Sequence, residues 1–304
     1  MKILVTGGHL TPALSFIDWV NKNQPKDKFI YVGRKYSQDL LKQESVEQYE
    51  LDKRSIKFIS FKAVKLGKQF FLKPLGGISG FFKSVKAAKK IIKEENISVV
   101  VSFGGYLGVP FALAAYLKKL PVITHEQTLT VGVANRIIGF FANKIAVSFK
   151  ETAKSFRADK VAVTGNLLRR GVFLKQQAQP KWFKKDDKPL LLVMGGNQGA
   201  KVLNELILNN LPDLVKDWTI VHQCGRPNLE RDYKKVFEVA KTHLPKNDQD
   251  SLYVREWIDD KDLFWLYRNS TAALSRAGAN ATQELAVAGL PTIFVPLPYA
   301  HNDE

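Results

Sequence analysis

Cysteine is almost absent from this sequence. Cys224 is the only one in 304 residues. No internal disulfide can form, no cysteine-rich metal site can be built, and the chain suits a reducing compartment. No apolar run is long enough to span a membrane. Met1-Lys2-Ile3-Leu4-Val5-Thr6 is expected to be a first strand and not a signal peptide. A Walker phosphate loop needs Gly-Lys-Ser/Thr after four intervening residues, and Gly199-Ala200-Lys201 does not supply it. The first glycine turn lacks the full dinucleotide pattern, and no acidic residue closes Ile30-Tyr31-Val32-Gly33-Arg34. Nicotinamide dinucleotide binding is therefore poorly supported. Acid is missing from residues 53–93, which hold twelve Lys and Arg. No low-complexity segment occurs, and the only hint of repetition is that the two halves look alike.

At 45% hydrophobic and 25% charged, the composition is that of an ordinary soluble globular protein. The length suits two domains. The net charge of +17 is uneven: residues 1–166 carry 27 Lys and Arg against 12 Asp and Glu, and residues 167–304 carry 19 against 17. The basic half calls for an anionic partner: nucleic acid, a membrane surface or a phosphorylated substrate.

Three strand–glycine-turn–helix units recur. Residues 2–6 run into Gly7-Gly8-His9, and Thr11-Pro12 opens a helix. Val99 to Ser102 runs into Phe103-Gly104-Gly105-Tyr106. Leu190 to Met194 runs into Gly195-Gly196-Asn197-Gln198-Gly199-Ala200. Helix N-termini attract phosphate, and active groups gather at strand C-termini in doubly wound sheets. The strand Pro121 to Thr124 brings His125-Glu126 to the same edge. His9 or the His125-Glu126 pair could act in acid/base chemistry; a buried hydrogen-bonded corner is the equal alternative for the pair. The stretch Ser275 to Pro291 reads as strand end, small-residue turn at Gly278-Ala279, helix, then Gly-Leu-Pro into strand Thr292 to Val295. Glu284 in that helix suits ribose hydroxyls, the alternative being an ordinary turn with a solvated Glu. Asp248-Gln249-Asp250 has metal-binding spacing, but a solvated turn explains it better. The polar segment 170–188 reads as a hinge.

Within 53–93, the sequence predicts a strand (Ile56 to Phe61) and a basic amphipathic helix (Phe81 to Lys93). Gly76, Gly77 and Gly80 break the middle. Phe70, Phe71, Leu72 and Lys73, interrupted by Pro74, suit a bilayer interface, where rings sink in and ammonium groups meet lipid phosphates.

Thr6-Gly7-Gly8-His9 with Pro12, Phe103 to Tyr106, His125-Glu126-Gln127, Gly165-Asn166 with Arg169, Gly195 to Ala200 and Ser275 to Pro291 resemble, in order, the MurG family of membrane-associated UDP-N-acetylglucosamine transferases of peptidoglycan synthesis. The resemblance covers essentially the whole chain. It implies an α/β protein of two Rossmann-like, doubly wound domains facing a cleft, the GT-B fold. Residues 1–166 would be the acceptor and membrane domain, and residues 167–304 the UDP-GlcNAc domain. The implied reaction moves GlcNAc from UDP-GlcNAc to the C4 hydroxyl of MurNAc in lipid I, with inversion, giving lipid II. By motif, Glu284 would bind the ribose and Ile258 the uracil. Asn197, Gln198, Gly278 and Ala279 would hold the UDP phosphates, with Arg169 near the nucleotide. Gly7, Gly8, Gly104, Gly105, Tyr106, His125 and Asn135 would face the acceptor, and His9 or Glu126 would be the base. No metal or other cofactor is implied, since helix N-termini can stabilise the leaving UDP. The expected partners are UDP-GlcNAc, lipid I, the anionic inner membrane surface and other cell-wall synthesis proteins, with no nucleic acid. The expected place is the cytoplasmic face of the bacterial cell membrane, peripherally.

Departures from the family pattern are Thr128 for Asn, Asn197 for Ser, Leu167 for Pro and a short first glycine loop. The chain ends on a loop at Pro298 to Glu304 without a closing helix, so the second domain is expected to be incomplete, the segment that reads the donor sugar lying further on. The alternatives are another GT-B enzyme acting on diacylglycerol, a basic nucleic-acid-binding protein, which no recognised module supports, and an inactive fragment.

Overall fold

A computed structural model describes residues 1–34, 36–38, 43–44, 46–63, 74–184, 186–196, 199–227 and 231–297. They form two compact units, Met1–Leu167 and Leu168–Glu304. Each unit is an α/β layer structure.

In the first unit, seven strands make one parallel sheet: β1 (Lys2–Gly7), β2 (Lys28–Gly33), β5 (Lys57–Ser60), β6 (Val99–Phe103), β7 (Val122–Glu126), β8 (Lys144–Val147) and β9 (Val161–Val163). A small antiparallel pair, β3 (Tyr36–Gln38) and β4 (Gln43–Glu44), stands apart. The helices are α1 (Leu10–Asn23), α2 (Val46–Asp52), α3 (Pro74–Glu94), α4 (Gly108–Leu117), α5 (Val133–Phe141) and α6 (Lys150–Ala153). Strands covered on both faces read as unbroken apolar runs, as in Ile3-Leu4-Val5 and Val99-Val100-Val101. Leu4, Ile30 and Val100 pack with Val85, Phe111 and Ile138 on one face. Ile3, Val5, Tyr31 and Val101 pack with Ala13, Leu14 and Ile17 on the other.

The sheet order is β5-β2-β1-β6-β7-β8-β9. From β1 the chain winds outward to β2 and β5, then returns to β6 and winds the opposite way. The switch point therefore lies between β1 and β6, where open α/β sheets place ligands.

The second unit repeats the plan with β10 (Leu190–Met194), β11 (Thr219–Gln223), β12 (Leu252–Arg255), β13 (Ala272–Arg276) and β14 (Thr292–Val295). Its helices are α7 (Lys201–Asp217), α8 (Tyr233–Thr242), α9 (Lys246–Gln249), α10 (Asp260–Asn269) and α11 (Ala279–Ala288). The order β12-β11-β10-β13-β14 puts the switch point between β10 and β13. Leu192, Val221 and Ala273 pack with Phe264, Leu266 and Leu285, and Val193 and Ile220 pack with Leu203, Ile207 and Phe237.

Two sequence expectations fail. The segment 170–188 is no hinge. Val172 and Phe183 lie in the core of the second unit, the Phe183 ring sits 5.4 Å from that of Trp265, and Trp182 Nε1 donates to Asp262 at 2.6 Å. Its polar residues hid apolar anchors spaced too far apart to show a period. Nor do Gly76, Gly77 and Gly80 break the chain, because α3 runs through them from Pro74. Proline fits the first helical position. Ser84, Val85, Ala88 and Ile92 form a buried stripe that outweighs roughly 1 kcal/mol lost at each helical glycine. The Asp248 spacing proves structural, since Asp248 sits in α9 and pairs with Lys188 at 3.2 Å.

Candidate active site

At the first switch point, two glycine turns touch backbone to backbone. A Cβ on Gly8 would lie 2.5 Å from the Gly105 amide nitrogen and 2.6 Å from the Gly104 carbonyl carbon. Gly104 and Gly105 both adopt positive φ, 76° and 75°, which side chains other than glycine rarely tolerate. Below them, Thr6 Oγ1 donates to Ser102 Oγ at 3.0 Å, tying β1 to β6. His9 sits between β1 and α1 as the α1 N-cap residue. Tyr106 follows the second turn, half-buried against the core.

One strand further, β7 ends in a buried polar corner. Glu126 is 2% exposed, and neutral donors fill both its oxygens. Thr128 donates through its amide at 3.2 Å and its hydroxyl at 2.9 Å to Oε1. Gly132 N–H (3.1 Å) and Asn135 Nδ2 (2.9 Å) donate to Oε2. Asn135 also donates to the His125 carbonyl at 3.1 Å and accepts from Thr124 Oγ1 at 2.9 Å. Thr128, read as a departure, thus holds Glu126. His125 is buried, and its Nε2 lies 3.2 Å from the Gly165 carbonyl, so that nitrogen carries the proton when the ring is neutral.

Both imidazoles titrate below their ordinary range. His9 keeps accessible surface in its turn, yet desolvation by the surrounding protein lowers its pKa, and the Glu126 charge opposes that. For His125 desolvation again dominates. The Gly165 carbonyl and Glu126 push it up, and a charge on His9 pushes it down.

In the second unit, the loop after β10 is equally tight. A Cβ on Gly195 would meet the Ala200 nitrogen at 2.5 Å, and one on Gly199 would meet the Cys224 carbonyl oxygen at 2.2 Å. Asn197 and Gln198, assigned by motif to phosphate, lie outside the described residues. Across the switch point, Gly278 precedes α11 with no side-chain cap. A Cβ there would meet nothing within 4 Å, so the start of α11 opens on space beside the positive end of the helix dipole. Ala279 is the first helical residue.

Glu284 and Arg169 meet directly. Glu284 is fully buried, which removes the solvated alternative. The Arg169 guanidinium donates to Glu284 through Nη2 and, at 2.9 Å, through Nε. It also donates to Asp260 at 2.6 Å and stands 5.0 Å over the Phe264 ring. Tyr267 donates to Glu284 at 3.4 Å. The two carboxylates hold Arg169 charged against desolvation, with Glu284 the strongest favourable partner. Burial raises the Tyr267 phenol above its usual range.

Ile258 is 2% exposed and packs in the core, so only its backbone can meet a ligand. Its N–H donates to Gln223 Oε1 at 3.1 Å, while Gln223 Nε2 donates to the Gly196 carbonyl at 3.1 Å. Gln223 therefore braces the glycine loop and the Ile258 segment with one amide. Sequence reasoning missed it. The available signal was a polar pair, His222-Gln223, closing a strand with every residue buried. It also missed Asp260 and Tyr267, whose importance depends on contacts across the fold. Among the described residues, no group of three or more His, Cys, Asp or Glu is arranged to hold a metal ion. Phe70, Phe71, Leu72 and Lys73 fall outside the described residues.

Two glycine-loop switch points on two parallel sheets define the class: an α/β protein of two doubly wound units. The glycosyltransferase family 28 N-terminal domain model matches residues 5–147, and the family 28 C-terminal domain model matches residues 190–304. The UDP-N-acetylglucosamine–N-acetylmuramyl-(pentapeptide) pyrophosphoryl-undecaprenol N-acetylglucosamine transferase of Clostridium tetani is 34% identical over 97% of this chain and 78% of its own length. The enzyme of the same name from Clostridium botulinum is 33% identical over the same shares. The crystal structure of Acinetobacter baumannii MurG superposes with a TM-score of 0.63 at 24% identity, over 99% of this chain and 80% of that one. The Staphylococcus aureus MnaA–UDP structure superposes with a TM-score of 0.63 at 17% identity, over 97% and 79%. The chain belongs to glycosyltransferase family 28, and within it to the MurG family.

Replacing Arg169 by Leu strands Glu284 as a buried charge. Urea unfolding should show a loss of about 3–5 kcal/mol at neutral pH. The double replacement of Arg169 and Glu284 by Leu should lose less than the single one. A single variant within about 0.5 kcal/mol of wild type would mean that the pair carries no such weight.

Proposed function

We propose that the chain transfers GlcNAc from UDP-GlcNAc to the C4 hydroxyl of MurNAc in lipid I, with inversion, giving lipid II. The second unit would hold the donor and the first the acceptor. The observation that carries this is the pairing of two glycine-lined switch points in one chain, one beside a histidine and one beside an uncapped helix start. The activity named for the clostridial relatives agrees with it. The α11 N-terminus and the Gly195–Ala200 loop would meet the UDP phosphates and stabilise charge on the leaving group, with no metal called on. Glu284 and Arg169 would engage the ribose side of the nucleotide by exchanging part of their mutual contact for it. Asn197 and Gln198 remain motif-based phosphate contacts in this proposal. The Ile258 backbone would read the uracil.

Of the two base candidates, His9 fits better. Each Glu126 oxygen already accepts two hydrogen bonds, whereas the His9 ring is accessible and its lowered pKa keeps it neutral at physiological pH. His9 would take the proton of the attacking hydroxyl. His125, Asn135 and Glu126 would fix the loop beside the acceptor, with Gly7, Gly8, Gly104, Gly105 and Tyr106 along its pyrophosphate.

Calorimetric titration with UDP, UDP-GlcNAc and ADP, with and without EDTA, tests the donor assignment. UDP and UDP-GlcNAc should bind unaffected by EDTA, and ADP should not bind. Binding of ADP as tight as UDP would overturn it. The pH profile of kcat/KM tests the base. Because the neutral ring is the active form, activity should fall through an acid limb with its midpoint below the ordinary imidazole value of 6.5. His9→Gln should abolish that limb and lower kcat about 10²–10⁴-fold. An unchanged limb in this variant would return the role to another group.

We propose also that the protein sits peripherally on the cytoplasmic, anionic face of the cell membrane. No helix among the described residues is long and apolar enough to cross one. On α3, Ile78 and Phe82 are 46% and 63% exposed, beside exposed Lys83, Lys86, Lys90 and Lys93. This face fits a headgroup boundary. Replacing Ile78 and Phe82 by Ser should weaken binding to phosphatidylglycerol vesicles at least about tenfold and leave the UDP affinity unchanged. Equal vesicle binding by the variant would exclude this face.

A further inference from the structure

The loop after β10 is held at two separate points, and both supports come from the end of β11. The sheet order β12-β11-β10 sets β11 between two strands whose following segments lead to different parts of the proposed donor site. In register, Gln223 stands beside Met194 on one side and Arg255 on the other. Met194 runs into the 195–200 loop, and Ile258 lies three residues beyond Arg255. A side chain at this strand end can therefore reach both segments.

Gln223 does so with one amide. Its Oε1 accepts the Ile258 N–H at 3.1 Å, and its Nε2 donates to the Gly196 carbonyl at 3.1 Å. Chemistry fixes that orientation, because a peptide N–H can only donate and a carbonyl can only accept. Gln223 is 5% exposed, so both bonds are largely out of reach of water. The Gly196 carbonyl also accepts the Gly199 N–H at 3.2 Å. Two donors thus hold it turned into the fold, and its rigid peptide plane is held with it. A carbonyl turned the other way would meet a phosphate with its negative end. The role needs a donor and an acceptor at this reach. Glutamate lacks the donor, methionine lacks both, and asparagine is one methylene short.

Each segment also has an anchor of its own. Gly199 packs so closely on the Cys224 carbonyl that a Cβ would lie 2.2 Å from its oxygen. That carbonyl accepts from Asn204 Nδ2 at 3.0 Å, and His222 Nε2 meets Asn204 Oδ1 at 2.7 Å. Ile258 is 2% exposed and packs in the core. Neither segment depends on Gln223 for its place in the core, yet Gln223 bonds to both.

We infer that Gln223 is a positioning residue that sets the spacing between the diphosphate loop and the base-reading segment. A nucleoside diphosphate is then recognised as one unit. The inference rests on the reading of the second unit as the UDP-GlcNAc site. It adds a residue that acts through two loops, and it says what that residue controls: the gain from joining the two halves of the ligand. Two subsites held at the right spacing let the second half bind as an intramolecular event, and a loosened spacing forfeits that gain.

The test compares uridine, inorganic pyrophosphate and UDP on the full chain, the first two by competition calorimetry against UDP. Gln223→Met keeps the volume and removes both bonds. Gln223→Asn is the milder second variant, should Gln223→Met fail to fold. UDP should bind Gln223→Met about tenfold more weakly and Gln223→Asn several-fold more weakly. Uridine and pyrophosphate should each stay within about twofold of wild type. In steady state the UDP-GlcNAc KM should rise by the same factor as the UDP affinity falls, with the acceptor KM within about twofold. A side chain that merely keeps the unit folded would not separate the whole ligand from its halves.

Equal weakening of all three ligands would overturn the inference, since the loss would then lie in the fold of the unit. Unchanged UDP affinity would overturn it as well. So would a loss for one half as large as the loss for UDP, which would make Gln223 part of that subsite alone. The wild type separates the two levels. If it binds neither UDP nor UDP-GlcNAc, or binds ADP as tightly as UDP, the donor reading falls and this inference falls with it. If it binds UDP selectively and the variants bind UDP equally well, only the role of Gln223 is lost.

Discussion

Backbone packed against backbone at the ends of parallel strands is the constraint from which the two candidate sites follow. Gly8 lies on Gly105, and Gly199 lies on the Cys224 carbonyl, at distances that no Cβ could share. For the first contact the strand order requires this closeness, because β1 and β6 are neighbours whose following segments depart in opposite directions; the second contact packs the loop after β10 on the end of its other neighbour, β11, and leaves the β13 side open at Gly278. The crevice left between the departing segments is lined by peptide groups instead of side chains. Peptide N–H groups in such a place are fixed in direction before any ligand arrives. That is the condition under which dipoles stabilise developing charge without reorganising.

Each unit buries one carboxylate near its switch point and neutralises it differently. Glu126 is satisfied by hydroxyl, amide and backbone donors. Its charge remains, and it acts at a distance on His9 and His125. Glu284 is met by a guanidinium. The first arrangement leaves a negative field that offsets the desolvation of two imidazoles. The second cancels the field and ties the Leu168–Phe173 strap to α11. Neutral donors thus leave a carboxylate whose charge tunes its neighbours, and a cation leaves one whose charge is locally cancelled.

The fold and its switch points were legible because both depend on local pattern: apolar runs of strand length, followed by glycine, followed by a helical period. Gly8, Gly105 and Gly278 could be marked as places of close approach or open space for the same reason. The partners of the charged residues were not legible. Arg169 and Glu284 are 115 residues apart, and nothing local in either says that they touch. Gln223 was passed over because a polar residue closing a strand looks like a solvated end, when in fact it spans two loops. The reading of 170–188 as a hinge failed on composition. Lys and Asp dominate the segment, yet Val172 and Phe183 decide where it lies. Glycines 76, 77 and 80 misled in the opposite way, since local propensity yields to a buried stripe formed further along the same helix.

The charge asymmetry read at the outset now separates into two kinds of electrostatics. The excess of fifteen positive charges in residues 1–166 includes the exposed lysines of α3. Interactions among exposed charges decay over about 8 Å at physiological ionic strength. Such a field can draw the protein to an anionic surface and hold it there, but it cannot distinguish one phosphate from another. The peptide groups of the glycine turns and the α11 start have a reach of single hydrogen bonds, where position matters and salt hardly intrudes. The second unit, with an excess of only two positive charges over residues 167–304, has the open helix start and the braced loop. A fixed array of dipoles of that kind needs no excess of net charge around it.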